Sequence, residues 1–193
     1  MNKIQLPDPI PNKFVSTAFH FEVLEPKHVQ LDYQALMSSQ NYLRRWSNST
    51  WPEDNFSVED NLKDLEWHYE EFKGKFAFTY TILDKSGNKC LGCIYIRPTG
   101  SIRNLKPDEI ELLEFSAYFC SFWVIDEIRN TNLGQEIFTS IKNWIKNDWS
   151  YARMLYTSNL EIPDQQTLYQ ENGLELILEL RNKNRYQLFW TEK

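Results

Sequence analysis

The chain has 193 residues and a mass of 23.1 kDa, which at roughly 150 residues per domain reads as one domain. Hydrophobic residues make up 41% and charged residues 25%, enough for a core and unlike the composition of a disordered chain. Lys and Arg number 21 against 27 Asp and Glu, a formal net charge of −6. That balance counts against a nucleic-acid binder, which needs a basic face, yet leaves room for small anionic ligands, because backbone amides bind phosphate without Lys or Arg.

Three cysteines are too few for a disulfide framework, and a reduced, cytoplasmic setting is the simpler reading. No apolar run approaches the ~20 residues of a membrane helix, and Met1 to Lys13 lacks the apolar core of a secretory signal. His20, His28 and His68 form no HExxH-type pair, so no metal is expected.

In chain order, residues 1–17 carry Pro7, Pro9 and Pro11 and read as an extended arm, with one body over 18–193. Phe19, Phe21 and Val23 alternate with His20 and Glu22, a strand that Pro26 ends. Residues 29–45 read as one helix, on the broken stripe Tyr33, Leu36, Met37 and Leu43. A loop follows with Trp51-Pro52. Ser57 and Asp60 have capping-box spacing before the periodic residues Leu62, Leu65, Tyr69 and Phe72, predicting a helix over 58–73 that stops at Gly74. On it His68, with Asp64 four residues earlier, reads as part of a solvated face.

Phe76 to Ile82 and Cys90 to Ile96, around Lys85-Ser86-Gly87-Asn88, read as a hairpin. Cys90 and Cys93 have metal-like spacing without a second pair. Three apart on a strand, they should face opposite sides of the sheet. Pro98 to Leu113 reads as a long connection, in which Asp108, Glu109 and Glu111 run on to Glu114 as an acidic, solvated face. Phe115 to Ile125 is an apolar strand. Leu133, Ile137, Ile141, Trp144 and Ile145 trace a helical face, and Met154 to Thr157 a short strand. Pro163 opens a helix that Gly173 closes, and a last hairpin turns at Arg181 to Asn184. The order β-α-α-β-β-β-α-β-α-β-β, with a parallel crossover over 115–158, predicts an α/β (α+β) domain. It has a mixed central sheet of about 7 strands with helices on both faces.

The chemistry concentrates where the apolar strand gives way to the next helix, at Trp123-Val124-Ile125-Asp126 and on through Arg129-Asn130-Thr131-Asn132-Leu133-Gly134-Gln135. The first amides of that helix lack internal partners and carry partial positive charge, so a pyrophosphate could sit there without a basic surface. Gly134 would let a ligand approach the backbone closely.

This segment resembles motif A of the GNAT superfamily of acyl-CoA N-acyltransferases, (Arg/Gln)-x-x-Gly-x-(Gly/Ala). Arg129 and Gly134 match, and Asn132, a residue tolerant of left-handed dihedrals, stands in the place of the first glycine. Leu168-Tyr169-Gln170-Glu171-Asn172-Gly173-Leu174 resembles the family's Leu-Tyr-x-x-x-Gly-Phe segment, with Leu174 for Phe. The element order is similar over about residues 19–190. The resemblance implies acetyl transfer from acetyl-CoA to an amine of a small molecule by direct attack in a ternary complex. The CoA would lie along Trp123, Val124 and Ile125 and in the 129–135 turn. A backbone N–H near Val124 would polarise the thioester carbonyl, and Tyr169 would protonate the leaving thiolate. Asn159 is carried over as the asparagine nearest to one the family often places seven residues before that tyrosine, a position held here by Ile162. The base stays open between Asp126, Glu114 and relayed water. Trp46 and Trp51 line an acceptor pocket or cap the helices. The partners implied are acetyl-CoA and an amine acceptor, with no nucleic acid or membrane, for a monomer or homodimer. Asn132 and the missing carboxylate keep a second reading open, a GNAT-shaped CoA-binding or regulatory module without catalysis. A third is a protein-interaction domain built on the many aromatics.

Overall fold

The computed structural model describes residues 6–149, 154–182 and 185–193. The chain forms β1 (Lys13–Val15), β2 (Phe19–Val23), α1 (Val29–Ser38), α2 (Gln40–Ser47), α3 (Val58–Lys73), β3 (Phe78–Asp84) and β4 (Cys90–Pro98). It continues through α4 (Pro107–Leu113), β5 (Tyr118–Val124), α5 (Asn132–Asp148), β6 (Leu155–Asn159), α6 (Pro163–Glu171), β7 (Leu174–Asn182) and β8 (Arg185–Glu192). The strands make one eight-stranded sheet in the order β1-β2-β3-β4-β5-β6-β8-β7. Every neighbouring pair is antiparallel except β5 and β6, which the α5 crossover joins in parallel as the strand–helix–strand pattern requires.

Three differences from the sequence reading have local causes. Residues 13–15, inside the proline-bearing arm, pair with Glu22, Phe21 and His20. The Tyr80 hydroxyl donates to Pro11 O at 2.6 Å, fixing the arm to β3. The helix expected over 29–45 is two helices. Ser39 takes non-helical dihedrals between α1 and α2 (φ −126°, ψ 21°), and its hydroxyl accepts the Asp126 amide at 2.9 Å. The acidic connection contains α4, with Pro107 at its first position and Glu109 accepting the Lys106 amide at 2.8 Å. The Ser57 capping box is present, with Ser57 Oγ accepting from the Asp60 amide at 3.1 Å. Lys183 and Asn184, in the predicted last turn, lie outside the described residues.

The sheet buries both faces. On one, α5 and α6 cover Phe122 and Tyr156, which meet Phe138 and Tyr169. Trp144 of α5 packs edge-on against Tyr80 at 4.8 Å. On the other, α1 and α3 lie over β3 and β4. Ile102 and Leu113 pack there with Phe119, Leu155 and Phe189 in a smaller apolar cluster. A single linked set of buried side chains from β2 through β8 makes up the main core.

Candidate active site

The sheet opens at one place. β5 and β6 pair at only two rungs, Phe119 with Leu155 and Cys120 with Tyr156. Past them β5 stays on β4 as far as Val124, and β6 stays on β8 as far as Asn159. The two strands therefore diverge toward their carboxyl ends. A cavity of about 280 Å³ fills the divergence, lined by Arg97 of β4, Phe119 and Ser121 of β5, Thr157 to Asn159 of β6, Gln187 of β8, and Trp46 to Asn48. Asn159, a residue carried over from the resemblance, closes one end, donating from Nδ2 to Arg45 O at 2.6 Å.

The turn after β5 brings together the predicted segment 126–135. Trp123, Val124 and Ile125 are buried. Ile128 N donates to Ile125 O and Thr131 N to Ile128 O, both at 3.1 Å, which winds the turn toward α5. Thr131 is the N-cap of α5, but its hydroxyl donates to Ile128 O at 2.8 Å instead of accepting from the helix. The first turn holds no acidic residue. The first amides of α5 thus have no capping side chain, the arrangement that favours an anion. Arg129, Asn130 and Gln135 border an outer cavity of about 280 Å³ with Asp164, Thr167, Leu168 and Glu171.

Gly134 is fixed by the protein itself. A Cβ there would lie 2.6 Å from Ile128 O and 2.9 Å from Arg129 O, so the turn's own carbonyls already require a residue without a side chain.

Between the outer cavity and β5 lies a space of only about 10 Å³, bordered by Tyr42, Phe122, Val124, Arg129, Gly134, Asp164, Gln165 and Leu168. Gln165 is one of its walls. Its side chain is buried, donates from Nε2 to Phe122 O at 3.1 Å, and leaves Oε1 without a partner. Arg129 lies over the Tyr42 ring at 4.4 Å and is paired with Asp126 and Asp164. Its charge is therefore held by two carboxylates.

Tyr169 is fully buried. Its hydroxyl donates to Thr157 O at 2.9 Å, and its ring stacks on Phe138 at 4.7 Å. Burial, with Cys120, Tyr42 and Tyr156 nearby, holds the phenol well above its ordinary range, so it is protonated at neutral pH. Asp126 is exposed beside Arg129, and Glu114 is the exposed C-cap of α4. Neither borders the inner cavity, and among the described residues no carboxylate does. Trp46 lines that cavity, whereas Trp51 packs edge-on against Phe56.

Two expectations need correction. His68 does not lie on a solvated face. Its ring sits 5.6 Å from that of Tyr95, with Nδ1 3.2 Å from Glu71 and 3.3 Å from the Thr79 hydroxyl. Burial, with the Arg97 cation nearby, lowers its pKa to about 4. Nor do Cys90 and Cys93 face opposite sides. A bulge opposite Ile82/Leu83 breaks the period of two in β4, and the ligand atoms of Asp32, Cys90 and Cys93 lie within 4.8 Å of one another, all buried. The Cys93 thiol donates to Asp32 Oδ1 at 3.3 Å and Asn61 Nδ2 to Asp32 Oδ2 at 3.0 Å. The desolvated carboxyl is pushed up to about 6.

Sequence reasoning missed Arg97, Gln165 and Gln187. Arg97 alone had a signal, since strand alternation puts it on the same face as Tyr95.

The fold is the one seen in GNAT-family acetyltransferases. No protein-family model matches the sequence, and no curated protein matches it. Solved structures do. The chain is similar to RimL, the ribosomal L7/L12 alpha-N-protein acetyltransferase in complex with coenzyme A, at 12% identity and a TM-score of 0.70, over 93% of this chain and 96% of that one. It is similar at 13% identity and 0.70 to the ribosomal-protein-S5-alanine acetyltransferase of Vibrio fischeri, over 94% and 96%. It is similar at 11% identity and 0.68 to the microcin C7 self-immunity acetyltransferase MccE in complex with acetyl-CoA and AMP, over 92% and 93%.

Proposed function

We propose that the chain is an acyl-CoA-dependent N-acyltransferase that moves an acetyl group from acetyl-CoA to an amine of a small molecule in a ternary complex. The observation that carries this reading is the divergence of β5 and β6 beyond Cys120 and Tyr156, with the open amino end of α5 beside it. The pyrophosphate would rest on the amides of 130–135, and the pantetheine would run along Phe122 to Ile125 as an added strand. The acetyl group would reach the inner cavity, with the Val124 N–H polarising its carbonyl. The amine nitrogen forms the new bond to the acetyl carbon, the thioester C–S bond breaks, and the thiolate takes a proton. Tyr169 is the donor in this scheme: its hydroxyl, given to Thr157 O in the free protein, would turn to the sulfur, and a proton returned through water would restore the phenol. The amine proton leaves through water past the Ser121 and Thr157 hydroxyls, which border the cavity. Much of the acceleration comes from holding the two substrates in line.

For acyl-CoA to enter, Gln165 must release Phe122 O, and a pantetheine amide takes over that acceptor. The test is release of free thiol from acetyl-CoA with an amine panel, together with acetyl-CoA titration by calorimetry. Absence of both turnover and binding removes the reading.

A second reading rests on the narrow space beside Gln165 and on the two carboxylates that already hold Arg129: a GNAT-shaped module without catalysis. Acetyl-CoA binding with no acyl transfer to any amine would support it.

A further inference from the structure

The inner cavity has one charged wall. Arg97 is the only ionic side chain among its lining residues; the others are aromatic, hydroxyl and amide groups. In a protein of net charge −6, the cavity thus presents, among the described residues, a single positive group and no acidic one. The guanidinium is braced from behind. Its η2 nitrogen lies 3.3 Å from Glu71 Oε2 and 3.5 Å from His68 Nδ1, and its plane sits over the Trp67 ring at 5.2 Å. A guanidinium carries five N–H donors in a fixed fork, so these contacts leave donors for a ligand without a rotamer search. His68, with its pKa lowered to about 4, is neutral at physiological pH and adds no competing charge. The cavity also holds an acceptor in want of a donor. Gln187 Oε1 is buried and has no partner among the described residues, and an unpaired buried carbonyl is costly until a donor arrives.

We infer that the cavity takes a small amine that also bears a carboxylate or a phosphate, its anion on Arg97 and its nitrogen toward Gln187 Oε1. Glu71 pairs with the guanidinium from behind, but no carboxylate among the described residues borders the cavity, so a bare ammonium finds no anionic partner there. An amine with its own anion gains a charge-assisted hydrogen bond to Arg97 instead. The transfer part of this inference rests on the reading proposed above; the binding part does not.

The test uses the full chain and matched probes: alanine against alaninamide, and O-phosphoethanolamine against ethanolamine. Each is measured by calorimetry without acetyl-CoA and by thiol release with it. The anionic member of each pair should bind and react roughly tenfold better. Arg97→Gln should bring the ratio near one, and Arg97→Lys should restore part of it, a change of ratio that general loosening of the fold does not produce. Equal or better binding of the neutral members, no binding of either, or an unchanged ratio in Arg97→Gln would overturn the inference. Anion-selective binding with no transfer and no acetyl-CoA binding would leave the inference standing and remove the transferase. Transfer without anion preference would do the opposite. The alanine and phosphoethanolamine arms tell carboxylate from phosphate.

Discussion

Gln165 donates its side-chain amide to the main-chain oxygen of Phe122 at 3.1 Å, inside the opening that β5 and β6 leave between them. The contact joins the first turn of α6 to the stretch of β5 that has parted from β6. It satisfies a carbonyl on the stretch of β5 that β6 no longer pairs, but leaves the glutamine's own oxygen orphaned. A ligand amide offering both a donor and an acceptor could replace the side chain with a net gain in hydrogen bonds.

Truncation of that side chain should therefore favour acyl-CoA. Gln165→Ala is expected to tighten acetyl-CoA binding by about tenfold, the worth of one buried hydrogen bond no longer to be broken. Calorimetric titration of both proteins checks it, and equal or weaker affinity in the variant would show that Gln165 is no barrier.

Gly134→Ala should destabilise the fold regardless of any ligand. The added Cβ would press on two backbone oxygens of the preceding turn, which cannot swing aside as a side chain could. A loss of about 1–3 kcal/mol is expected, read as a lower urea midpoint without CoA present.

Asp32 gives a signed pH dependence. Its folded value of about 6 lies above the ordinary 3.8, so the native state holds a proton that the unfolded chain releases. Its contribution is favourable below about pH 4 and lost as pH rises through 6, up to about 3 kcal/mol at ~1.4 kcal/mol per pH unit. Asp32→Asn should therefore gain most over the parent at pH 7.5 and least at pH 4. Thermal melts at the two pH values measure the difference; a gap that widens toward acid would contradict it.

His68 works in the opposite direction. Its folded value of about 4 lies below the ordinary 6.5, so the unfolded chain binds the extra proton between those limits. Stability from this group is complete above pH 6.5 and falls as pH drops to 4. His68→Gln should lose less melting temperature over that interval than the parent does. An identical loss would show that the imidazole is not the titrating group.

What could be read from the sequence was mostly local. The Ser57 capping box, the Gly173 stop and the Lys85–Asn88 turn are set by residues within a few positions of one another, and each lies where the spacing predicted. The turn from β5 into α5 was legible because strand, polar turn and helix follow in order. The misses come from distant partners. Ser39 breaks the helix because a main-chain amide 87 residues away needs its hydroxyl. Cys90 turns toward Cys93 because the neighbouring strand imposes a bulge. Arg97 and Gln187 reach one cavity from strands separated by two others in the sheet, and no periodicity along a single segment encodes that meeting. Gln165 looked like an ordinary polar residue on a short helix, and only the gap between two strands gives its amide a purpose.

The Ser39–Asp126 hydrogen bond has a mechanical corollary. It pins the corner of two helices on one side of the sheet to the loop that leads into α5 on the other. Neither can shift by more than a fraction of an ångström without breaking it, so a displacement of the loop is geared directly to α2, which carries Tyr42 and Trp46.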